Sequence, residues 1–134
     1  MAYPGRVGDG GFQTASRRGD IMYNISDNLL NRYIENIKSI YGSHLRRIIL
    51  YGSYARGDFN KESDIDIMIL LDLSDIALKE YGKKLSYMTF DFNMDNNVYI
   101  SPFAKNEEHF NKWAEVYPFY LNVKNEGVIL YEAV

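Results

Sequence analysis

The segment Ile65–Leu71 is the sequence feature that most constrains the fold of this chain. After its first two residues it is apolar at every position, so it offers no polar face to water. A strand of this kind lies inside a sheet and is covered on both faces, usually by helices. Residues 46–51 predict a second short strand, which ends at Gly52. These two segments therefore predict an α/β domain built around a buried strand.

Helical and extended patterns alternate around these two strands. Three helices and one further strand are predicted, the helices at 26–42, 74–88 and 106–117 and the strand at 97–103. Ser26 or Asp27 can cap the first helix and Gly42 can end it, whereas Pro102 should stop the further strand. Residues 118–132 predict a helical turn and a final extended segment. We therefore expect a small mixed β-sheet flanked by helices.

Length and composition limit the possible functions. The chain has 134 residues, which is enough for one domain with its own core. It has no cysteine, so disulfides, thiolate zinc sites and cysteine nucleophiles are excluded. Its 15 basic and 18 acidic side chains give a net charge of -3. The chain therefore has no overall positive potential that would attract nucleic acids. No apolar run approaches the ~18 residues that span a membrane, and no signal peptide is visible, so we expect a cytoplasmic protein.

Residues 1–21 differ in composition from the rest of the chain. They hold five of the ten glycines and almost no apolar periodicity, which predicts a flexible tail ahead of a domain at 22–134. If Arg17 and Arg18 are encoded by AGG codons, the same bases would form a ribosome-binding site and translation could begin at Met22. CGN codons at the two arginines would contradict this hypothesis.

Asp64 and Asp66 carry the clearest chemical signal. They stand two residues apart at the start of a predicted strand, so both carboxylates project from the same face. Two close carboxylates repel each other and need a cation or a proton between them. Mg²⁺ meets this need and keeps positions for water and phosphate oxygens. The pair therefore predicts a site for two Mg²⁺ ions, of the kind that transfers phosphoryl or nucleotidyl groups.

The turn at Gly52 and Ser53 supplies a complementary phosphate site. Glycine allows a tight turn and a close approach to a ligand, and the amides that begin the next helical turn favour an anion. Ser53 adds a hydroxyl donor, while Arg56 could contact a phosphate or brace the loop. A Gly-Ser turn alone is usually an ordinary turn, and an Asp-x-Asp pair alone is usually a solvated strand edge. Together at this spacing, the two motifs favour a nucleotide-binding site.

Residues 50–72 closely resemble the signature of the DNA polymerase β-type nucleotidyltransferase superfamily, in its stand-alone minimal (MNT) form. Gly52, Ser53, Asp64 and Asp66 match that signature position by position. The resemblance implies a polymerase β palm-like fold that binds Mg²⁺ with ATP or another nucleoside triphosphate. Minimal nucleotidyltransferases also resemble the antitoxins of HEPN–MNT pairs, which add AMP to a tyrosine of a helical partner toxin. The resemblance therefore implies an antitoxin with a HEPN-type partner.

The sequence departs from the family pattern at the third carboxylate. The family normally places one on a later strand, beside the aspartate pair, where it activates the attacking hydroxyl. In the segment 97–103 the residue expected there is Tyr99, a poor ligand for a hard cation. Asp91, our first candidate, or Asp95 could serve as the catalytic base if the strand begins earlier. Both could equally be surface acids.

Two alternatives to a protein-modifying enzyme remain open. Without a third carboxylate, the chain could be a catalytically weak or inactive binding module that neutralises its partner by complex formation. It could also transfer nucleotides to an antibiotic, although enzymes of that kind usually carry an added helical domain for which 134 residues leave no room.

Overall fold

The computed structural model describes residues 27–134. The predicted tail at 1–21, the proposed start at Met22 and the cap at Ser26 therefore lie outside the described residues. The α-helices and strands of the described part are, in chain order, α1 Asp27–Tyr41, β1 Leu45–Tyr51, α2 Ser53–Arg56, β2 Ile65–Leu71, α3 Asp75–Asn96, β3 Ile100–Asn106, α4 Glu107–Trp113, α5 Pro118–Glu126 and β4 Val128–Glu132. A 3-10 turn at Gly42–His44 joins α1 to β1. In this part of the chain, no helix is long and apolar enough to cross a membrane.

The four strands form one mixed sheet in the order β3-β2-β1-β4. β1 pairs antiparallel with both β2 and β4, whereas β2 and β3 are parallel. β2 lies between β1 and β3, and all its residues except Asp66 are buried. The prediction from the continuous apolar run is confirmed, and so is the fold class, a small mixed sheet flanked by helices.

The two faces of the sheet are covered by different helices. On one face, α1 and α3 pack over Ile67 and Ile69 in the larger core cluster. On the other face, α4 and α5 cover Met68 and Leu70. Because residues alternate between faces along a strand, Asp66 projects on the α4 and α5 side. It lies at the start of β2 and remains partly exposed.

α3 is longer than the sequence pattern predicts. The predicted helix ends near residue 88, but α3 continues to Asn96 because its second half packs against α1. The Thr89 hydroxyl is 2.7 Å from the Tyr33 hydroxyl, and the Phe92 ring meets the Tyr33 ring edge to face at 5.1 Å. Contacts between distant parts of the chain therefore extend this helix through a stretch whose local pattern is weak.

β3 begins and ends later than predicted. The prediction placed it at 97–103 and stopped it at Pro102, but the strand runs from Ile100 to Asn106. Pro102 is tolerated because β3 is an edge strand, on which a residue without an N–H group need not break a hydrogen-bond ladder on both sides. Pro102 therefore lies within the strand, and the prediction that it stops the strand is wrong.

Candidate active site

Asp66 lies between residues of the two neighbouring strands. In the sheet register it is opposite Tyr51 of β1 and Ser101 of β3. Asp64 precedes the strand and is exposed, and its charge is close enough to interact with that of Asp66. Burial, followed by the negative charge of Asp64, raises the pKa of Asp66, whereas the charge of Arg56 opposes this rise. The start of β2 thus concentrates negative charge at a half-buried point.

Tyr51 contributes a neutral side chain to this point. Burial and the adjacent charge of Asp66 raise the pKa of Tyr51 to about 12. The phenol therefore keeps its proton at physiological pH and does not add a further negative charge beside Asp66.

Gly52 brings the backbone against the Asp66 carboxylate. Its φ of 76° and ψ of -155° lie in a region that essentially only glycine occupies. A Cβ atom at this position would stand 2.3 Å from Oδ2 of Asp66. Glycine is therefore required here both by the backbone conformation and by the close approach of the carboxylate.

The short helix α2 begins at Ser53, directly after this contact. The Arg56 N–H donates to the Gly52 carbonyl at 3.0 Å, and the Gly57 N–H donates to the Ser53 carbonyl at 2.8 Å. Ala55 is buried and anchors the turn in the core. The first amides of a helical turn have no acceptor within the turn, so they can face an anionic ligand. The helical turn that the sequence predicts after Gly52 is therefore present.

Arg56 braces this turn. Its Nε donates to Asp58 at 3.1 Å and one terminal nitrogen donates to Glu126 of α5 at 3.0 Å. Hydrogen bonds to these two carboxylates raise the pKa of the guanidinium. Of the two roles that the sequence left open for Arg56, bracing is the one supported by contacts, and phosphate binding stays a prediction.

The structure does not bring Asp91 or Asp95 to β3. Both are exposed residues of α3, and the strand begins at Ile100 rather than upstream. The condition under which either could be the third carboxylate is therefore not met. Tyr99 also precedes the strand, and its carbonyl accepts a hydrogen bond from the Ile65 N–H at 2.8 Å. Within residues 27–134, no group of three or more acidic or histidine side chains is arranged as a metal site.

Ser101, and not Tyr99, lies beside Asp66 on β3. It is the β3 residue in register with Asp66, and its side chain is exposed on the same face of the sheet. The sequence pattern did not single it out because the start of β3 was placed three residues too early. The period-two alternation alone put Tyr99 and Ser101 on one face but could not select between them.

An aromatic ledge borders Asp66 and was also missed. It consists of Tyr51, Phe103 and Phe119. The Phe119 ring meets the Tyr51 ring at 5.6 Å and the Phe103 ring at 5.5 Å, both edge to face. Phe103 and Phe119 remain 39% and 41% exposed. Since the three residues come from β1, β3 and α5, no local sequence pattern links them.

The donor set at the start of β2 fits Mg²⁺. Asp64 and Asp66 offer oxygen ligands, and burial followed by the charge of Asp64 raises the pKa of Asp66, so a bound cation would stabilise the ionised carboxylate. Mg²⁺ is commonly held by one or two carboxylates, with water and substrate phosphates completing its octahedron. The two aspartates suffice for such an ion, but they do not supply a third protein carboxylate.

A carboxylate near the start of β2, a second one two residues before it and an adjacent Gly-Ser turn on a mixed sheet form the arrangement expected of an enzyme that transfers nucleotidyl groups. Residues 30–114 match the family described as nucleotidyltransferase domain. The chain therefore belongs to the nucleotidyltransferase domain family, and the predicted enzyme class is confirmed.

Relatives and one solved structure are similar to this chain. A Methanocaldococcus jannaschii protein named "Putative protein adenylyltransferase" is 36% identical over 102 residues, which cover 76% of this chain and 94% of that protein. A second protein of the same name and organism is 31% identical over 74 residues, covering 55% and 73%. A crystal structure of a toxin-antitoxin with AMP-PNP aligns with a TM-score of 0.48 and 23% identity, covering 77% of this chain and 73% of that one.

Proposed function

We propose that this chain is an Mg²⁺-dependent protein adenylyltransferase, which transfers AMP from ATP to a hydroxyl of a partner protein. The contact between Gly52 and Asp66 carries the proposal, because it brings the turn that we propose for phosphate binding against a carboxylate that we propose for metal binding. The acceptor class is supported by the relative that is 36% identical over nearly its whole length and is named as a protein adenylyltransferase.

In the proposed mechanism, the residues around β2 have two separate roles, triphosphate binding and metal binding. The Ser53 hydroxyl and the first amides of α2 hold the triphosphate, and the buried Ala55 keeps that turn in place. Asp64 and Asp66 would hold Mg²⁺, which when bound neutralises phosphate charge and favours in-line displacement at the α-phosphorus. The attacking oxygen forms a bond to that phosphorus while the bond to pyrophosphate breaks, and the hydroxyl proton must pass to a base.

We place the approach of the acceptor hydroxyl on the β3 side of Asp66. The Gly-Ser turn lies on the β1 side, so the acceptor would come over Ser101. The ledge of Tyr51, Phe103 and Phe119 forms an apolar border there and would limit the access of water. None of these three side chains is a base at neutral pH.

A second candidate function, that of a binding module, is supported by a different observation. The β3 residue beside Asp66 is Ser101 rather than an acid. A chain without a base at this point would bind nucleotide and transfer it slowly. It would then act as a binding module that neutralises its partner by complex formation.

We propose a HEPN-type toxin as the partner and residues 22–134 as the domain that acts on it. The support for the partner is the resemblance of residues 50–72 to the minimal nucleotidyltransferases of HEPN–MNT pairs. The support for the domain is that the family match at 30–114 and the described helices and strands all lie within it. A neighbouring gene for a helical protein, with an arginine and a histidine four to six residues apart and a nearby tyrosine, would strengthen the pairing.

The decisive experiment compares wild type with Asp64→Asn. Both are incubated with radiolabelled ATP and the neighbouring gene product, with Mg²⁺ or with EDTA. We expect Asp64→Asn to lose Mg²⁺-dependent transfer and to keep its melting temperature, because Asp64 is exposed. Glu62→Gln removes the same charge from an exposed residue two positions earlier and should keep its activity.

Two outcomes would contradict the proposal. Full transfer by Asp64→Asn would exclude the metal role of the aspartate pair. No transfer by the wild type, together with tight binding of the partner, would favour the binding module. Asp91→Asn should be tested in the same assay. Loss of transfer in this variant would mean that Asp91 of α3 takes part in catalysis after all.

A further inference from the structure

The solvent side of α3 carries a stripe of large apolar residues. Tyr87, Phe90 and Met94 are 69%, 64% and 69% exposed, and their spacing of three and four residues places them on one face. The opposite face of α3 buries Leu85 and Phe92 in the larger core cluster. Contiguous exposed apolar side chains of this kind mark interaction surfaces on soluble domains.

Gly82 lies inside α3, and no contact among residues 27–134 requires a glycine there. A Cβ atom at this position would meet nothing within 4 Å. A glycine in a helix interior is less stable than alanine, so its presence costs stability and gains no internal packing. Together with Ser86, Gly82 lines an open depression beside Tyr87. The missing side chain leaves room for another surface to approach this face.

The charges of α3 are arranged symmetrically about Tyr87. Lys83 precedes Tyr87 by four residues and Asp91 follows it by four, while Lys79 and Asp95 lie eight residues before and after it. All four side chains are exposed, and none forms an ion pair with another residue of the part that the structure describes.

Within one copy this arrangement is unfavourable. Lys79 and Lys83 are like charges four residues apart on one helix, and so are Asp91 and Asp95. Asp95 also lies in the last turn, which contains no basic residue and where the helix dipole disfavours an anion. Asp75 and Glu80 precede Lys79 and Lys83 by four and three residues on α3 and offset part of the lysine repulsion, whereas Asp91 and Asp95 have no basic residue within four positions of the helix.

We propose that the solvent face of α3 binds α3 of a second copy of this chain, antiparallel and about a two-fold axis at Tyr87. In an antiparallel helix pair, residues equally distant from the crossing point lie at the same height and meet when both are close to the line of contact. Lys83 and Asp91 lie about 40° to either side of Tyr87 on the helix, so Lys83 of each copy meets Asp91 of the other. A two-fold axis repeats this contact, so the interface has two opposite-charge pairs.

The remaining features of this face fit the same arrangement. Tyr87, Phe90 and Met94 become buried, and Gly82 with Ser86 lets the helices approach to the 8–10 Å typical of packed helix axes. A parallel pair would instead place Lys83 beside Lys83 and Asp91 beside Asp91. The occupant is therefore a second copy in antiparallel orientation, because the charge pattern of α3 is complementary to itself only in that direction.

The association leaves the candidate active site open. α3 covers the face of the sheet opposite to the one on which Asp66 projects. The inference therefore goes beyond the proposed function and does not depend on it.

Sedimentation equilibrium of the full chain over a range of concentrations tests the inference. Wild type should show a monomer–dimer equilibrium. Lys83→Glu and Asp91→Lys should each raise the dissociation constant about tenfold or more, because each turns two attractive contacts into repulsive ones. Lys61→Glu makes the same charge change on an exposed loop residue and should leave the dissociation constant unchanged.

Mixing the two single variants gives the sharpest readout. In a mixed dimer, the glutamate introduced at position 83 of one copy faces the lysine introduced at position 91 of the other, and the unaltered Asp91 faces the unaltered Lys83. Lys83→Glu and Asp91→Lys should therefore associate with each other far better than either does with itself. The double variant should likewise recover dimerisation. Circular dichroism of each variant verifies that the fold is retained.

Three results would overturn the inference. A wild type that stays monomeric at all concentrations excludes a second copy as the occupant, even if another protein binds the face. A dimer that is insensitive to both charge reversals lies elsewhere on the molecule. Loss of dimerisation in the single variants without recovery in their mixture excludes the antiparallel register at Tyr87.

Discussion

On one side of Asp66 lies β1, which delivers Tyr51 and Gly52, and on the other lies β3, which delivers Ser101 and Phe103. The β1 side is tightly built, since a Cβ atom at residue 52 would collide with the Asp66 carboxylate. The β3 side is an exposed strand edge, with the hydroxyl-bearing Ser101 in register with Asp66.

This difference assigns nucleotide binding and proton transfer to different sides of the same site. The residues proposed to hold the triphosphate and the metal come from the β1–β2 unit and are all present. The residue that should receive the proton of the acceptor hydroxyl would come from β3, where no acid lies beside Asp66. Nucleotide binding and nucleotide transfer can therefore be changed separately, by substitutions on different strands.

Ser101→Asp should give the largest effect, because it adds an acid in register with Asp66. We expect transfer to the partner to rise, by about the 10²–10⁴-fold that a well-placed acid–base group contributes. Tyr99→Asp adds the same charge two residues earlier, before the strand begins, and should do much less. Rates are measured with radiolabelled ATP at saturating partner.

Ser101→Asn is the matched control, with nearly the same shape as the aspartate variant and no charge. If Tyr99→Asp raises the rate and Ser101→Asp does not, the position first inferred from the sequence is correct. A fall in rate with both acids would mean that a base is already present, and the contrast between the two strands would disappear.

Gly52→Ala should have the next largest effect, on the β1 side. The backbone conformation alone should cost about 1–3 kcal/mol for a residue other than glycine, and the added Cβ would force Asp66 to move. We expect a lower free energy of unfolding and loss of transfer. Urea unfolding and the transfer assay measure the two effects.

Gly82→Ala provides the comparison for this substitution. A Cβ atom at residue 82 would have no neighbour within 4 Å, and the residue lies in a helix. At dilutions where the chain is monomeric, the change should stabilise the fold by roughly 0.5–1 kcal/mol. If both substitutions destabilise the chain equally, the special requirement for glycine beside Asp66 is wrong.

The same two strands explain how far the sequence could predict the molecule. β1, the Gly-Ser turn and β2 are contiguous, so Gly52, Ser53 and Asp66 could be placed together from their spacing. β3 pairs with β2 only after the 22-residue helix α3, whose length is set by packing against α1. No local pattern gives that packing, so the register of Ser101 could not be predicted.

The aromatic ledge and the contact of Gly52 with Asp66 could not be predicted from local sequence patterns either. Phe103 and Phe119 meet through the pairing of β3 and the docking of α5, and neither lies near Asp66 in the sequence. The turn at Gly52 was predictable, but its contact with Asp66 depends on the antiparallel pairing of β1 and β2. Contacts that cross the sheet therefore required the structure.

The smallest expected effect concerns the charge of Asp66, measured in metal-free buffer. Its pKa is raised in the folded state, chiefly by burial and then by Asp64. Stability from this group is therefore fully present below the unfolded pKa and is lost as the pH rises through the folded pKa. At neutral pH the ionised carboxylate destabilises the fold, so Asp66→Asn should be more stable than wild type there.

The difference between Asp66→Asn and wild type should shrink as the pH falls through the raised pKa, because the wild-type carboxyl then becomes neutral as well. Urea unfolding of both proteins across this range gives the curve. Ser101→Asp should shift the curve to higher pH, since a new charge in register with Asp66 raises its pKa further. An Asp66→Asn variant that is less stable at neutral pH would mean that the carboxylate has a structural role. A curve unchanged by Ser101→Asp would show that residue 101 does not lie beside Asp66, whatever the transfer assay gives.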